Sequence, residues 1–151
     1  MVKVQASGEI KRPVEEVFAY LTDPSKLPEW NSIVIEAKTE QPGPVRVGSK
    51  IRTVAKFLGR HIDATAEVTE FVPNKKFVQK AMSPFPLEIT NSVEEMAGGA
   101  TKVTVEADLE PGGFFKLAEP VLGRIAKRQM EVQLETMKEL LEAREPAKIG
   151  S

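Results

Sequence analysis

The 151-residue sequence contains no cysteine, one histidine, one tryptophan and one tyrosine. The lack of cysteine excludes disulfide frameworks, thiol nucleophiles and zinc sites built on thiolates. A single histidine, His61, also excludes metal sites that need several imidazole ligands. These residue types therefore predict no metal site and no cofactor, and they identify no catalytic residue.

Neither sign of charge dominates, and long apolar runs are missing. The chain has 21 Lys and Arg against 22 Asp and Glu, for a formal net charge of -1. Such a balance does not favour nucleic acid as a partner. No run approaches eighteen apolar residues, and the opening MVKVQASGEI lacks the apolar core of a signal peptide. We therefore expect a cytoplasmic protein with no nucleic-acid partner and no integral membrane association.

Two short helices are predicted after a first strand. Pro13 suits the first turn of a helix, and the run RPVEEVFAYL has one apolar face. Thr22 or Asp23 ends that helix and can cap a second one, with Pro24 at its first position. Pro28 limits this second helix to one or two turns. The only tryptophan, Trp30, then lies where the chain enters the next strand.

From Ser32 the apolar pattern changes to a period of two, which predicts about six antiparallel strands. The residues predicted to face inward alternate with charged ones. They are Ile51, Thr53, Ala55, Phe57, Ile62, Ala64, Ala66, Val68, Leu87, Ile89, Asn91, Val93, Val103, Val105, Ala107 and Leu109.

A long helical pattern follows Gly112 and Gly113, and a bend is expected near Pro120 and Gly123. Its apolar face is predicted from helical spacing. The predicted face consists of Phe114, Leu117, Val121, Ile125, Val132 and Leu140.

This order of elements predicts one α+β domain over residues 1–145, with a flexible tail at 146–151. A sheet with an apolar inner face must be covered, and one long helix covers it only if the sheet curls around that helix. Several inward positions hold alanine, as at Ala55, Ala64, Ala66 and Ala107. Small side chains there predict space between sheet and helix, which is a cavity architecture.

The segment RPVEEVFAYLTDPSKLPEWN resembles the Pro…Val-Phe…Leu-x-Asp-Pro…Trp signature of the START and birch-pollen-allergen superfamily, often called SRPBCC. GGATKVTVEADL resembles the hairpin before the last strand of that superfamily. The resemblance covers nearly the whole chain. It implies the helix-grip fold: a curved antiparallel sheet of six to seven strands around a long C-terminal helix, with two short helices after the first strand. It also implies a pocket for a lipid-like, polyketide-like or aromatic ligand.

Our first hypothesis is a binding protein for a hydrophobic small molecule, held in a cavity between the sheet and the C-terminal helix. The predicted ligand-binding residues are Trp30, Ile51, Thr53, Phe57, Phe77, Gln79, Leu87, Asn91, Val105, Leu117, Val121 and Ile125. Polar residues at positions where the pattern requires apolar ones need a partner, a water or a ligand. They are Thr53, Gln79, Asn91, Gln129 and Thr136.

Two alternatives remain open at this stage. An aromatic cyclase or dehydratase acting on a polyketide-like substrate needs titratable or strongly polar groups inside the cavity. His61 and Asp63 are two residues apart, but the strand pattern turns both toward solvent. A protein-interaction or co-chaperone module would instead present an exposed apolar patch. The oligomeric state is not indicated by the sequence.

Overall fold

The computed structural model describes residues 2–144, apart from the side chain of Phe114. It contains seven antiparallel strands in the order β1-β7-β6-β5-β4-β3-β2, so that β1 and β2 form the two edges of an open, curved sheet. The strands are β1 (Val2–Ile10), β2 (Val34–Thr39), β3 (Lys50–Phe57), β4 (Arg60–Val72), β5 (Lys76–Ala81), β6 (Leu87–Glu95) and β7 (Thr101–Leu109). The predicted helix-grip architecture is confirmed, while the tail 146–151 lies outside the described residues.

Two short helices, α1 (Val14–Leu21) and α2 (Leu27–Trp30), connect β1 to β2, with a 3-10 turn at Pro24–Lys26 between them. The carboxylate of Asp23 accepts a hydrogen bond from the Ser25 backbone N–H at 3.0 Å, which caps that turn. Pro24 occupies its first turn, as the sequence predicts. Trp30 ends α2 and is 7% exposed, so the indole is part of the core.

A short helix, α3 (Phe114–Leu117), and a 24-residue helix, α4 (Glu119–Glu142), complete the chain. The buried face of α4 packs into the concave side of the sheet. This face consists of Leu122, Met130, Leu134, Met137 and Leu141. None of the helices in the described part of the chain is both long and apolar enough to span a bilayer.

The predicted apolar face of the long helix is wrong in phase. Leu117 is 83% exposed and Val121 is 40% exposed, while Ile125 is half-buried outside the inward face. Instead of the expected bend, the helical segment is interrupted at Ala118, and α4 begins at Glu119. The rotational position of the α4 side chains is therefore not a continuation of the α3 helix that ends at Leu117. A shift of one residue rotates a helix by about 100°. The predicted face, which includes Val132 and Leu140, therefore lies off the core, and the face with Leu122 and Met130 points inward.

The C-terminal end of α4 is held by a residue from the β1–α1 junction. Arg12 donates hydrogen bonds from Nε to the Leu141 carbonyl at 3.0 Å and from Nη2 to the Arg144 carbonyl at 2.8 Å. Its Nε also lies 3.3 Å from the Glu16 carboxylate. The last carbonyls of a helix have no partner within the helix and carry partial negative charge, so a guanidinium is a suitable partner.

We expect Arg12→Ala to lower the free energy of unfolding by about 2–3 kcal/mol, because hydrogen bonds to charged groups are worth about 1.5–3 kcal/mol. Urea denaturation monitored by circular dichroism measures this change as a lower midpoint at an unchanged slope. Arg128→Ala is the matched control, since Arg128 is exposed and its ion pair with Glu131 has a separation of 3.9 Å. The control should change stability by less than about 0.5 kcal/mol.

Candidate functional site

A cavity of about 280 Å³ lies between the concave face of the sheet and α4. Its wall is built from inward residues of β1 and of β3 to β7, the β5–β6 connection, the α1–α2 region with the residues that follow it, and one face of α3 and α4. The helical part of the wall consists of Phe115, Leu122, Ala126, Gln129, Met130 and Gln133. Most wall residues are apolar, so the space is suited to an apolar occupant.

The cavity exists because many inward side chains of the sheet are small. The alanines of the wall are Ala55, Ala64, Ala66, Ala81, Ala107 and Ala126. Four of them, on β3, β4 and β7, are the ones that the sequence pattern places inward. Protein cores are usually packed with few voids larger than a water molecule. The core below the cavity is packed in this way, with Val68, Val103, Met137 and Leu141 fully buried.

Nine of the twelve residues predicted to bind ligand are brought together on this wall. They are Trp30, Ile51, Thr53, Phe57, Phe77, Gln79, Leu87, Asn91 and Val105. Contact between these side chains and a ligand stays a prediction. The other three, Leu117, Val121 and Ile125, are not on the wall, because they belong to the incorrectly phased helix face described above.

Sequence reasoning missed wall residues in the α1–α2 region and a further group on α3 and α4. Leu122, Ala126, Met130 and Gln133 follow a spacing of three and four residues, which places them on one face of α4. That spacing is visible in the sequence, but a second apolar series runs one position earlier. Phe115, which lies on the wall in the separate helix α3, was missed because the sequence pattern favoured the position before it.

Three aromatic rings from three different segments form a cluster on the cavity wall. The Phe57 and Phe115 rings stack with centroids 5.9 Å apart, and the Phe85 ring meets the Phe115 ring edge-on at 5.5 Å. All three line the cavity. Offset-stacked and edge-to-face geometries at this distance are the favourable ones for aromatic pairs.

One border of the cavity lies where α4 meets the segment that follows α2, and here the contacts are polar. Gln129 donates from Nε2 to Ser32 Oγ at 3.1 Å, and Gln133 donates from Nε2 to Asn31 Oδ1 at 3.0 Å. We call this border, formed by Gln129, Gln133, Asn31 and Ser32, the α2–α4 seam. These two hydrogen bonds are at least partly exposed to solvent, so each contributes only a modest net free energy to holding the border together.

The polar residues predicted to interrupt the apolar faces divide into two groups. Thr53, Gln79, Asn91 and Gln129 lie on the cavity wall. Thr136 does not: its hydroxyl donates to the Val132 carbonyl at 2.9 Å within α4, which satisfies it locally. Its apparent core position is thus another consequence of the helix phase.

Titratable groups are scarce at the cavity. Among the wall residues of the described part of the chain, Asp23 is the one titratable side chain, and it is engaged with Ser25. His61 is exposed on the convex face, as predicted. Asp63 does not orient it, because Asp63 forms a two-pronged ion pair with Arg52. The hydrogen bond from Arg52 holds the pKa of the Asp63 carboxyl below its usual value.

Comparison with known proteins agrees with this architecture. Residues 1–142 match the family described as "Polyketide cyclase / dehydrase and lipid transport". The chain belongs to this family. Because the match covers nearly the entire described domain, the superfamily resemblance drawn from the Pro13–Trp30 segment is confirmed. No sequence among curated proteins matches the chain.

Solved structures of the same fold are similar over almost the full length. The protein TTHA0849 from Thermus thermophilus superposes with a TM-score of 0.77 at 18% identity, covering 94% of this chain and 99% of that protein. A START superfamily protein from Mycobacterium smegmatis superposes with a TM-score of 0.76 at 16% identity, covering 93% of this chain and 97% of that protein. The di-domain ARO/CYC protein BexL of the BE-7585A biosynthetic pathway gives 0.66 at 18% identity, covering 94% of this chain and 47% of BexL. Likeness at these identities shows the fold alone.

Proposed function

We propose that this protein binds a hydrophobic small molecule, lipid-like, polyketide-like or aromatic, in the cavity between the sheet and α4. The observation that carries the proposal is the space itself: about 280 Å³ with a mostly apolar wall, inside the core of a small domain. Binding sites for small molecules are typically apolar concavities of about 300–1,000 Å³ with a few placed polar groups. The family description, which includes lipid transport, supports the same function.

Binding is preferred to catalysis because of the chemistry of the wall. A cyclase or dehydratase, which the family description and the name of BexL suggest as the alternative, would use the same cavity. General acid–base catalysis needs a titratable group within hydrogen-bond reach of the reacting atoms. In the described part of the wall the one acidic or basic side chain is that of Asp23, and its carboxylate already accepts hydrogen bonds from the Ser25 N–H and hydroxyl. The remaining polar side chains of the described wall are amides, the hydroxyls of Thr22 and Thr53, and the indole N–H of Trp30, which bind and orient.

Native mass spectrometry of freshly purified protein tests the proposal, followed by solvent extraction and identification of any bound compound. We expect a population heavier than the polypeptide by the mass of one apolar molecule. Exposure of the same sample to an uncharged apolar fluorophore, N-phenyl-1-naphthylamine, should convert the protein to a 1:1 complex. Protein that stays at the polypeptide mass in both experiments would contradict the proposal.

The α2–α4 seam predicts how fast a ligand leaves. In the double variant Gln129→Ala/Gln133→Ala both hydrogen bonds of the seam are lost, each worth about 0.5–1.5 kcal/mol. We expect N-phenyl-1-naphthylamine to dissociate about tenfold faster, as measured by stopped-flow fluorescence. Glu135→Ala, an exposed position on the same helix, is the control and should leave the rate unchanged. Equal dissociation rates for the double variant and the wild type would show that the seam is not on the exit route.

A further inference from the structure

The cavity wall carries a small polar area that has too few partners. Asn91 is 4% exposed, and its one hydrogen bond is a 3.5 Å contact from Nδ2 to the Phe77 carbonyl. Among the described residues, no other group pairs with its second N–H or with its amide oxygen. A buried amide with unmade hydrogen bonds is destabilising unless something else supplies them. Asn91 borders the cavity, so an occupant of the cavity can supply them.

Gln79 extends this polar area on the neighbouring strand. β5 and β6 pair so that Phe77 lies opposite Asn91 and Gln79 lies opposite Ile89. Gln79 and Asn91 are therefore diagonal neighbours on the inward face, about 7–8 Å apart by the geometry of antiparallel pairs. No side-chain hydrogen bond is made by Gln79 within residues 2–144. Two amides on adjacent strands thus offer both donors and acceptors to one region of the cavity.

The rest of the described wall contains no lysine, arginine or histidine. A carboxylate or phosphate in this cavity would lose its hydration without gaining an ion pair, which is a severe penalty. A plain hydrocarbon would leave the two amides unpaired. The chemistry that satisfies both constraints is an uncharged apolar molecule with an oxygen function, such as a ketone or a hydroxyl group.

We infer that Asn91, assisted by Gln79, selects uncharged oxygen-bearing ligands against both carboxylates and hydrocarbons. This inference rests on the proposed function and names its ligand class. Amides are neutral at all ordinary pH values, so the preference for a ketone over a hydrocarbon does not depend on pH. The oxygen of the ligand accepts from the free N–H of Asn91, and a ligand hydroxyl can donate to an amide oxygen.

Three ligands of nearly the same shape test the inference: 2-acetylnaphthalene, 2-ethylnaphthalene and 2-naphthoate. We expect the wild-type protein to bind the ketone at least about fivefold more tightly than the hydrocarbon, the effect of one neutral hydrogen bond. Naphthoate should bind at least about tenfold more weakly than the ketone. Isothermal titration calorimetry at pH 7 measures all three dissociation constants on the same protein preparation.

Substitutions of the two amide residues test whether they cause the preference for the ketone. Asn91→Leu keeps the branching at Cγ and removes the amide, so the preference for ketone over hydrocarbon should fall to about one or reverse. Gln79→Met tests the second amide if Asn91→Leu is poorly folded by circular dichroism, and should reduce the preference at least about twofold. Thr90→Val, next to Asn91 but on the opposite face, is the matched control and should retain the wild-type preference.

The outcomes separate the inference from the proposed function. Hydrocarbon binding as tight as ketone binding, or naphthoate binding as tight as either, would overturn the inference and leave the binding function intact. A preference that persists unchanged in both Asn91→Leu and Gln79→Met would also overturn it. If none of the three compounds binds to folded wild-type protein, the proposed function fails as well.

Discussion

Ala64→Phe is expected to weaken the binding of N-phenyl-1-naphthylamine at least about 100-fold while the protein stays folded. Ala64 lies on the cavity wall in β4, and a phenyl ring there takes the space of the ligand. Burial of a Phe side chain is worth about 1.5–3 kcal/mol, so the thermal midpoint should rise or stay unchanged. Fluorescence titration and thermal unfolding on the same preparation measure the two effects together.

Thr65→Phe provides the matched control, since Thr65 is the next residue of β4 and its side chain is exposed on the opposite face of the sheet. This variant adds the same ring to the same strand, and its affinity should be that of the wild type. Equal loss of affinity in both variants would show that the probe binds outside the cavity. If Ala64→Phe bound the probe with wild-type affinity, this too would show that the probe binds outside the cavity.

Trp30→Ala is expected to lower the free energy of unfolding by about 3–5 kcal/mol, the range for removing a large aromatic side chain from a core. The indole is 7% exposed and borders both the core and the cavity. Its Nε1 is buried and has no hydrogen-bond partner among the described residues. Urea denaturation monitored by circular dichroism measures the change.

Trp30→Phe separates the ring from its N–H group. Since an unpaired buried donor costs about 1–3 kcal/mol, losing the N–H offsets much of the packing that the smaller ring gives up. We expect this variant to lose less than about 1.5 kcal/mol. A loss as large as that of Trp30→Ala would mean that the indole N–H makes a stabilising contact, contrary to its geometry.

The sheet was predictable from the sequence because one of its faces is buried and the other is exposed to solvent. A strand with this arrangement alternates apolar and polar residues, and a register shift of one residue would move every side chain to the opposite face of the sheet. The inward residues of β3, such as Thr53 and Phe57, therefore follow directly from the pattern, and the structure places them on the wall. The helix pair was predictable for a different reason: Asp23 and Pro24 have specific local roles at a helix start.

The helical side of the cavity was not predictable in the same way. α4 carries two apolar series one residue apart, one with Val121 and Ile125 and the other with Leu122 and Met130. A helical pattern alone does not decide between them, because each series repeats with nearly the same period. The choice depends on where the helix begins, and the break at Ala118 sets this. Gln133 was missed because a polar residue on an inward face is informative only when the face is known.

The cavity itself was anticipated from the alanines of the inner face, but the unpaired amide was not. Asn91 was recognised as a polar residue at a core position, which left a protein partner, a water and a ligand open. In the structure its acceptor among the described residues is the carbonyl of Phe77, its register partner on β5, at 3.5 Å. This distance is beyond the usual range for an N–H···O bond, which is about 2.7–3.2 Å.

Calorimetric titration of wild-type protein with N-phenyl-1-naphthylamine at several temperatures tests the central claim most directly. Binding in an apolar cavity predicts one site per chain and a negative heat-capacity change, which is the robust marker of apolar burial. The dissociation constant should be micromolar or lower, which corresponds to a binding free energy of about -8 kcal/mol or one that is more negative. The absence of saturable binding by folded protein at every temperature would contradict the account.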